Sequence, residues 1–195
     1  MLAEMKHRKS HAVVIAQYFK ANQKPKEAAR ENVKYIQFRK GKDREDIMRP
    51  LFGSDGPMTR LEANQFIDDA PKGTKFYTII ISPDPEREDH SRDFDMEQIA
   101  HTTLQTVEER VKTAVQWVAA VHQEHSDVRH IHALAAVKGW LDKPARRALV
   151  DSATRECREQ RLERDLILEK HAREAELEQG GWALEPTLEE DAWDE

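Results

Sequence analysis

The run Trp117-Val118-Ala119-Ala120-Val121-His122 and the run His130-Ile131-His132-Ala133-Leu134-Ala135-Ala136-Val137 are separated by seven residues that include Ser126 and Asp127. Two short apolar runs joined by a polar link are expected to pair as an antiparallel hairpin. Period two then sends His130 and His132 to one face of the sheet, with Ile131 and Leu134 expected on the other. His122 ends the first strand, so the pairing brings it across from His130 and His132 and three imidazoles converge. Four of the nine histidines fall within residues 122–132, a concentration that neither helix nor strand propensity explains. Three imidazoles with a coordination position left open have the form of a catalytic metal site. The spacing does not identify the ion: a phosphate-handling site could hold Mg2+ or Mn2+ as readily as Zn2+. Glu124 and Asp127 stand close enough in sequence to orient an imidazole from behind, and they read equally well as solvated loop acids. His125 is expected to face solvent in the turn.

Outward from the hairpin, Lys75 to Ser82 (Lys-Phe-Tyr-Thr-Ile-Ile-Ile-Ser) is β-branched and aromatic between Gly73 and Pro83, and reads as a strand. Met96 to Val115 has helical length and apolar residues at Ile99, Leu104, Val107, Val111 and Val115. Near the front, His11 to Phe19 reads as a strand, and Lys24-Pro25-Lys26-Glu27 opens a helix that carries Tyr35. Pro50, Gly53, Gly56 and Pro57 are expected to prevent regular structure from Pro50 to Met58. Thr59 is a candidate N-cap for a short helix to about Ile67. From Pro144 to about Gln179, leucines embedded in Arg and Glu predict one long charged helix or two. The order predicts an α+β fold: an antiparallel β-sheet with packed helices, carrying the three-histidine site, plus a C-terminal charged helix. Residues 1–143 are expected to form the main domain, 144–180 a charged helical extension, and 181–195 an acidic tail of low order.

At 195 residues the chain has room for one domain with a core and a tail. It has no apolar run of transmembrane length, and the basic, polar Met1 to Ser10 lacks the apolar stretch of a signal peptide, so no membrane insertion and a cytoplasmic location are expected. The single cysteine, Cys157, excludes an internal disulfide framework and a multi-cysteine zinc site. The net charge of -6 is unevenly spread: residues 1–60 carry 14 Lys plus Arg against 7 Asp plus Glu, and residues 151–195 carry 6 against 15. A basic front suits an anionic ligand, and it suits equally a chain with two solvated faces of opposite sign.

The hairpin residues through Asp127-Val128-Arg129-His130-Ile131-His132 resemble the metal motif of relaxases, the mobilisation nucleases with a histidine-hydrophobic-histidine signature. Ala29-Arg30 through Val33-Lys34-Tyr35-Ile36-Gln37-Phe38-Arg39-Lys40-Gly41 is similar to that family's N-terminal motif, and Phe76 to Ile81 with Ser82-Pro83 to its strand before the central helix. These three motifs, in the family's order, cover roughly residues 11–140. Phe38 stands between Gln37 and Arg39 where the family usually has Arg directly after Gln, and Arg129 replaces a frequent Pro. The helicase, primase or binding region that many relaxases carry has no counterpart after residue 150, which suits a minimal nuclease or a fragment. The resemblance implies that Tyr35 is the nucleophile, that His122, His130 and His132 are the metal ligands, and that the product is a 5'-phosphotyrosine with a free 3'-hydroxyl. It implies single-stranded DNA at a transfer origin as substrate, with accessory and coupling proteins as partners. Read without it, Tyr35 is a helix tyrosine that packs on the sheet.

Lys34, Arg39, Lys40, Lys42, Arg44 and Arg49 surround Tyr35 and are expected to neutralise DNA phosphates. Phe38, Phe52 or Trp140 could stack on bases, or belong to the core. A replication initiator of the same superfamily usually carries its tyrosine after the histidines, and no tyrosine follows Tyr77 here. A DNA- or partner-binding protein without catalysis and a three-histidine zinc hydrolase acting on a small molecule are the competing readings.

Overall fold

A computed structural model of the chain describes residues 11–18, 24–40, 46–124 and 128–180, with the side chains of 179 and 180 left aside. Lys42, Arg44, His125, Asp127 and the acidic tail from 181 lie outside the described residues.

Among the described residues six strands form one antiparallel sheet: β1 (Ala12–Tyr18), β2 (Leu51–Gly53), β3 (Gly56–Met58), β4 (Lys75–Pro83), β5 (Gln116–His122) and β6 (His130–Val137), in the order β1-β4-β6-β5-β2-β3. Its helices are α1 (Pro25–Phe38), α2 (Arg60–Asp69), α3 (Met96–Val111) and α4 (Lys143–Gly180). The expected β5–β6 hairpin is present, with Ala120 opposite His132 and His122 opposite His130. On its far side β6 pairs with β4, which sets Ile80 opposite His132.

The central strands are covered on both faces, which is why their sequences run almost continuously apolar. One face packs Val118, Ala120, Leu134 and Phe76 against Val33 and Ile36 of α1 and Phe66 and Ile67 of α2. The other packs Ile79, Ile81, Ile131 and Ala133 against Ile99 and Leu104 of α3 and Leu149 and Ala153 of α4. Leu134 therefore shares the histidine face, as its even spacing from His130 and His132 requires, and does not join Ile131. Alanines at 119, 120, 133 and 135 are fully buried, and their small side chains let helices approach the middle of the sheet from both sides.

Two local expectations are corrected. Residues 51–58 form a tight hairpin that extends the sheet, with Phe52 opposite Ala119. The residues that looked like breakers are the ones this hairpin needs. A Cβ on Gly53 would lie 2.9 Å from the Trp117 carbonyl, Gly56 has φ +106, and Pro57 sits on β3 at the sheet edge, where a missing N–H costs no ladder bond. The third helix ends at Val111 and not at Val115, because Lys112 turns into the left-handed region (φ 54) and Glu108 takes the Val115 amide at 2.7 Å. Thr59 caps α2 as expected, in a reciprocal box with Glu62.

The loop after β4 holds buried charge. Glu88 accepts from Arg161 at 3.1 Å and pairs with His11, while Asp89 accepts from Arg129 at 2.8 and 2.7 Å. Beside them Cys157 is fully buried; burial first, then the charges of Glu88, Glu156 and Asp89, push its thiol up to about 12. The chain divides into two compact units, one ending at Arg161 and one beginning at Leu162. Of the helix expected as an extension, the residues through Cys157 supply core side chains to the first unit. In the second unit Leu162, Leu166, Leu168 and Leu177 are exposed. Among the described residues no helix is long and apolar enough to cross a membrane.

Because Leu134 is fully buried between the sheet and α1 and α2, Leu134→Ala is expected to cost about 2–5 kcal/mol, read as a fall in the urea midpoint with an unchanged m-value. A loss under about 1 kcal/mol would show that this face is loosely packed.

Candidate active site

Three side chains on the α1 face of the sheet come together as the sequence predicts. The His122 and His130 ring centroids are 5.3 Å apart, those of His122 and His132 5.2 Å, and those of His130 and His132 6.2 Å. His122 is fully buried, His132 nearly so and His130 half-buried. Burial is the main reason His122 titrates at about 3 and His132 at about 4; the positive charge of Arg49 adds to the shift at His122, and those of His130, Arg39 and Arg49 at His132. Both rings are therefore neutral at physiological pH, the form that ligates metals.

The helix α1 brings Tyr35 to the same place. Its ring stands edge-on to His132 with centroids 5.6 Å apart, and it is 44% exposed, open to a solvent-borne ligand. Helix α1 continues to Phe38, past Tyr35, and Arg39 then closes it by donating its amide to the Tyr35 carbonyl. The Arg39 guanidinium carbon lies 5.5 Å from the Tyr35 ring centre. Tyr77, by contrast, is fully buried with its hydroxyl accepting from the Leu141 amide, and Tyr18 packs on Trp140.

Helix α1 is fastened to the sheet through its last carbonyls, groups that a helix leaves without internal partners. His122 Nε2 donates to the Ile36 carbonyl at 2.8 Å. The Arg49 amide donates to Gln37 O at 3.0 Å, and Arg49 Nη1 to Arg39 O at 2.9 Å. Nε and Nη2 of the same guanidinium donate to Glu124 Oε2 at 3.0 and 2.7 Å. Burial alone would raise the Glu124 carboxyl, but the hydrogen bonds from Arg49 and the nearby amides, with the Arg49 charge, hold it below the usual value.

These contacts revise several expectations. Arg49 is 2% exposed and committed to Glu124 and a carbonyl, so it is not a surface contact for phosphate. Glu124 orients Arg49 where an imidazole was expected. Lys34 and Lys40 are exposed and Arg39 is half-buried; Lys40 pairs loosely with Asp46 at 3.5 Å. Phe52 is core and unavailable to a base, and Phe38 lies under Arg60. Trp140 is exposed beside Lys75, beyond the opposite end of β6 and roughly 17 Å or more along the strand from His132.

A tetrahedral ion with metal–nitrogen bonds of about 2.0–2.1 Å would set neighbouring imidazole centroids roughly 5 Å apart. Two of the three separations meet that value and the third is wider by about 1 Å. His132 Nδ1 is buried with no hydrogen-bond partner, a cost that a bound ion or its water would relieve. With Nε2–H of His122 given to Ile36, its other nitrogen carries the lone pair, and a backbone carbonyl behind a ligating imidazole is a usual arrangement. As the side chains stand, no group of three or more His, Cys, Asp or Glu among the described residues is arranged to hold a metal ion. The residue types suit a metal ion, and the widest gap among them is the one between His130 and His132.

No protein-family model, curated protein or solved structure matches the chain.

The neutral imidazoles make stability fall on the acid side. The unfolded rings protonate near 6.5 and the folded ones only near about 4 and about 3, so the unfolded state binds more protons below pH 6.5. Their contribution is fully present above pH 6.5 and is lost as pH drops from there, through about 4 for His132 and about 3 for His122. Urea midpoints measured across that window are expected to decline, with a shallower slope in His132→Gln; an equal slope in the variant would show that His132 is not held neutral.

Proposed function

We propose that the chain is a relaxase-type nuclease that nicks single-stranded DNA through Tyr35. The observation that carries this reading is the meeting of Tyr35 from α1 with His132 and its two neighbours from β5 and β6, residues far apart in sequence and adjacent in space. Tyr77 is fully buried, whereas Tyr35 is 44% exposed beside Arg39 and the neutral ring of His132.

In the proposed reaction the Tyr35 oxygen attacks phosphorus in line with the bond to the 3'-oxygen. The O–P bond forms, the P–O3' bond breaks, the phenolic proton passes to water, and the departing 3'-oxygen takes up a proton. The phosphodiester becomes a phosphotyrosine ester of similar energy, so the 3'-hydroxyl can reverse the step. His122, His130 and His132 would hold a divalent ion, Mg2+, Mn2+ or Zn2+, which when bound withdraws charge from the phosphate and stabilises the developing anion. Arg39 lies against the attacking ring and supplies positive charge at the phosphate, and exposed Lys34 and Lys40 extend it along the strand. Accessory and coupling proteins at a transfer origin belong to the same reading.

A second reading, a DNA-binding protein without catalysis, is favoured by the imidazoles' not standing as a complete coordination set. End-labelled single-stranded oligonucleotides from the chain's own genetic neighbourhood, incubated with Mn2+ or Mg2+ and run on a denaturing gel, separate the two. The expected result is a protein-linked DNA band that disappears in Tyr35→Phe and in His132→Ala. DNA binding with no such band in the wild type would establish the second reading.

A further inference from the structure

Arg49 is the most deeply buried positive charge at the site, and nothing in the proposed chemistry uses it directly. An arginine stays ionised even when buried, so its guanidinium needs partners on every side. Those partners have a pattern. Two donors are spent on Glu124, just beyond the end of β5, and another on the Arg39 carbonyl, just beyond the end of α1, while the Arg49 backbone amide donates to Gln37 O. Arg49 lies three residues before Phe52, which pairs with Ala119 of β5, on the segment that leads into β2. His122 in turn holds the Ile36 carbonyl. Consecutive carbonyls on the turn after Tyr35 are thus fixed by Arg49 and by one of the three histidines.

We infer that Arg49, held by Glu124, is a positioning residue for Tyr35: it fixes the last turn of α1 so that the tyrosine ring stays edge-on to His132. Arg49 does not touch the DNA; it acts through α1. The fork geometry is essential to this role, because one planar guanidinium bridges a carboxylate and a carbonyl that a single ammonium could not span in the same directions. Without it the end of α1 keeps its attachment at Ile36 but loses those at Arg39 and, once the loop shifts, at Gln37. The helix remains packed through Val33 and Ile36, and its last turn, with the nucleophile, is free to rotate.

This inference rests on the nucleophile reading only for its catalytic consequence; the positioning is tested separately. The chain has three tyrosines, 18, 35 and 77, so uniform 3-fluorotyrosine labelling gives three fluorine resonances, with Tyr35 assigned by its loss in Tyr35→Phe. In Arg49→Gln and in Glu124→Gln, the Tyr35 resonance is expected to move toward the free amino acid while those of Tyr18 and Tyr77 stay in place. Adduct formation is expected to slow by about 10- to 100-fold with DNA affinity unchanged, the mark of lost alignment and not of lost binding. A general loss of structure would move all three resonances. If Arg49→Gln does so, Glu124→Gln decides, since its carboxylate is partly exposed and the substitution keeps the arginine. A folded variant in which the Tyr35 resonance does not move overturns the proposal. A wild type that binds DNA and forms no adduct overturns the nuclease reading instead, and the fluorine shift alone then decides the role of Arg49.

Discussion

The hydrogen bond from His122 Nε2 to the Ile36 carbonyl joins the two parts of the molecule on which everything else at the site depends. A helix ends with carbonyls that have no partners inside it, and a buried helix end must find them elsewhere. Here the end of α1 finds them on β5 and on the segment leading into β2. One side chain of the histidine cluster is therefore also part of the cap of the helix that carries Tyr35. The same bond fixes the tautomer of His122, since the proton sits on Nε2. Charge follows from the same packing: Arg49, drawn into the cap, raises the cost of a second positive charge nearby and helps keep His122 and His132 neutral.

The sheet supplies the rigidity behind this arrangement. Its middle strands carry fully buried alanines that lie under helices on both faces. On the face away from the site, Arg129 is anchored to Asp89 and to the Phe94 carbonyl. The backbone is thereby fixed one residue before His130, whose side chain points the other way. Arg49 is buried and Arg129 keeps its side chain 10% exposed, and each guanidinium bonds both a carboxylate and a backbone carbonyl.

Much of this was legible in the residues. The hairpin at 117–137 and the strand at 75–82 follow from short apolar runs bounded by turn residues, and the α1 and α2 boundaries from Pro25 and Thr59. The pairing of His122 with His130 and His132 follows from period two and an antiparallel link. The hairpin at 51–58 was missed because glycine and proline were read as breakers, although two glycines flanking Ser54-Asp55 allow a tight reversal whose value depends on β5 being there to receive it. The end of α3 was missed because Val111 and Val115 continue the helical spacing, while Val115 is in fact buried from beyond the helix end.

The sequence by itself determined most of the elements, the α+β plan and the set of chemically able residues, because periodicity, caps and side-chain type are local properties that each segment carries with it. Only the tertiary structure decided how the charged ones are used. In the sequence Arg49 is one more cation in a basic run with Lys40 and Lys42, and Glu124 one more acid beside a histidine. Folding buries the first and turns the second toward it, because a buried charge is tolerated only where another element brings its partner, and those partners come from segments 10 and 75 residues away.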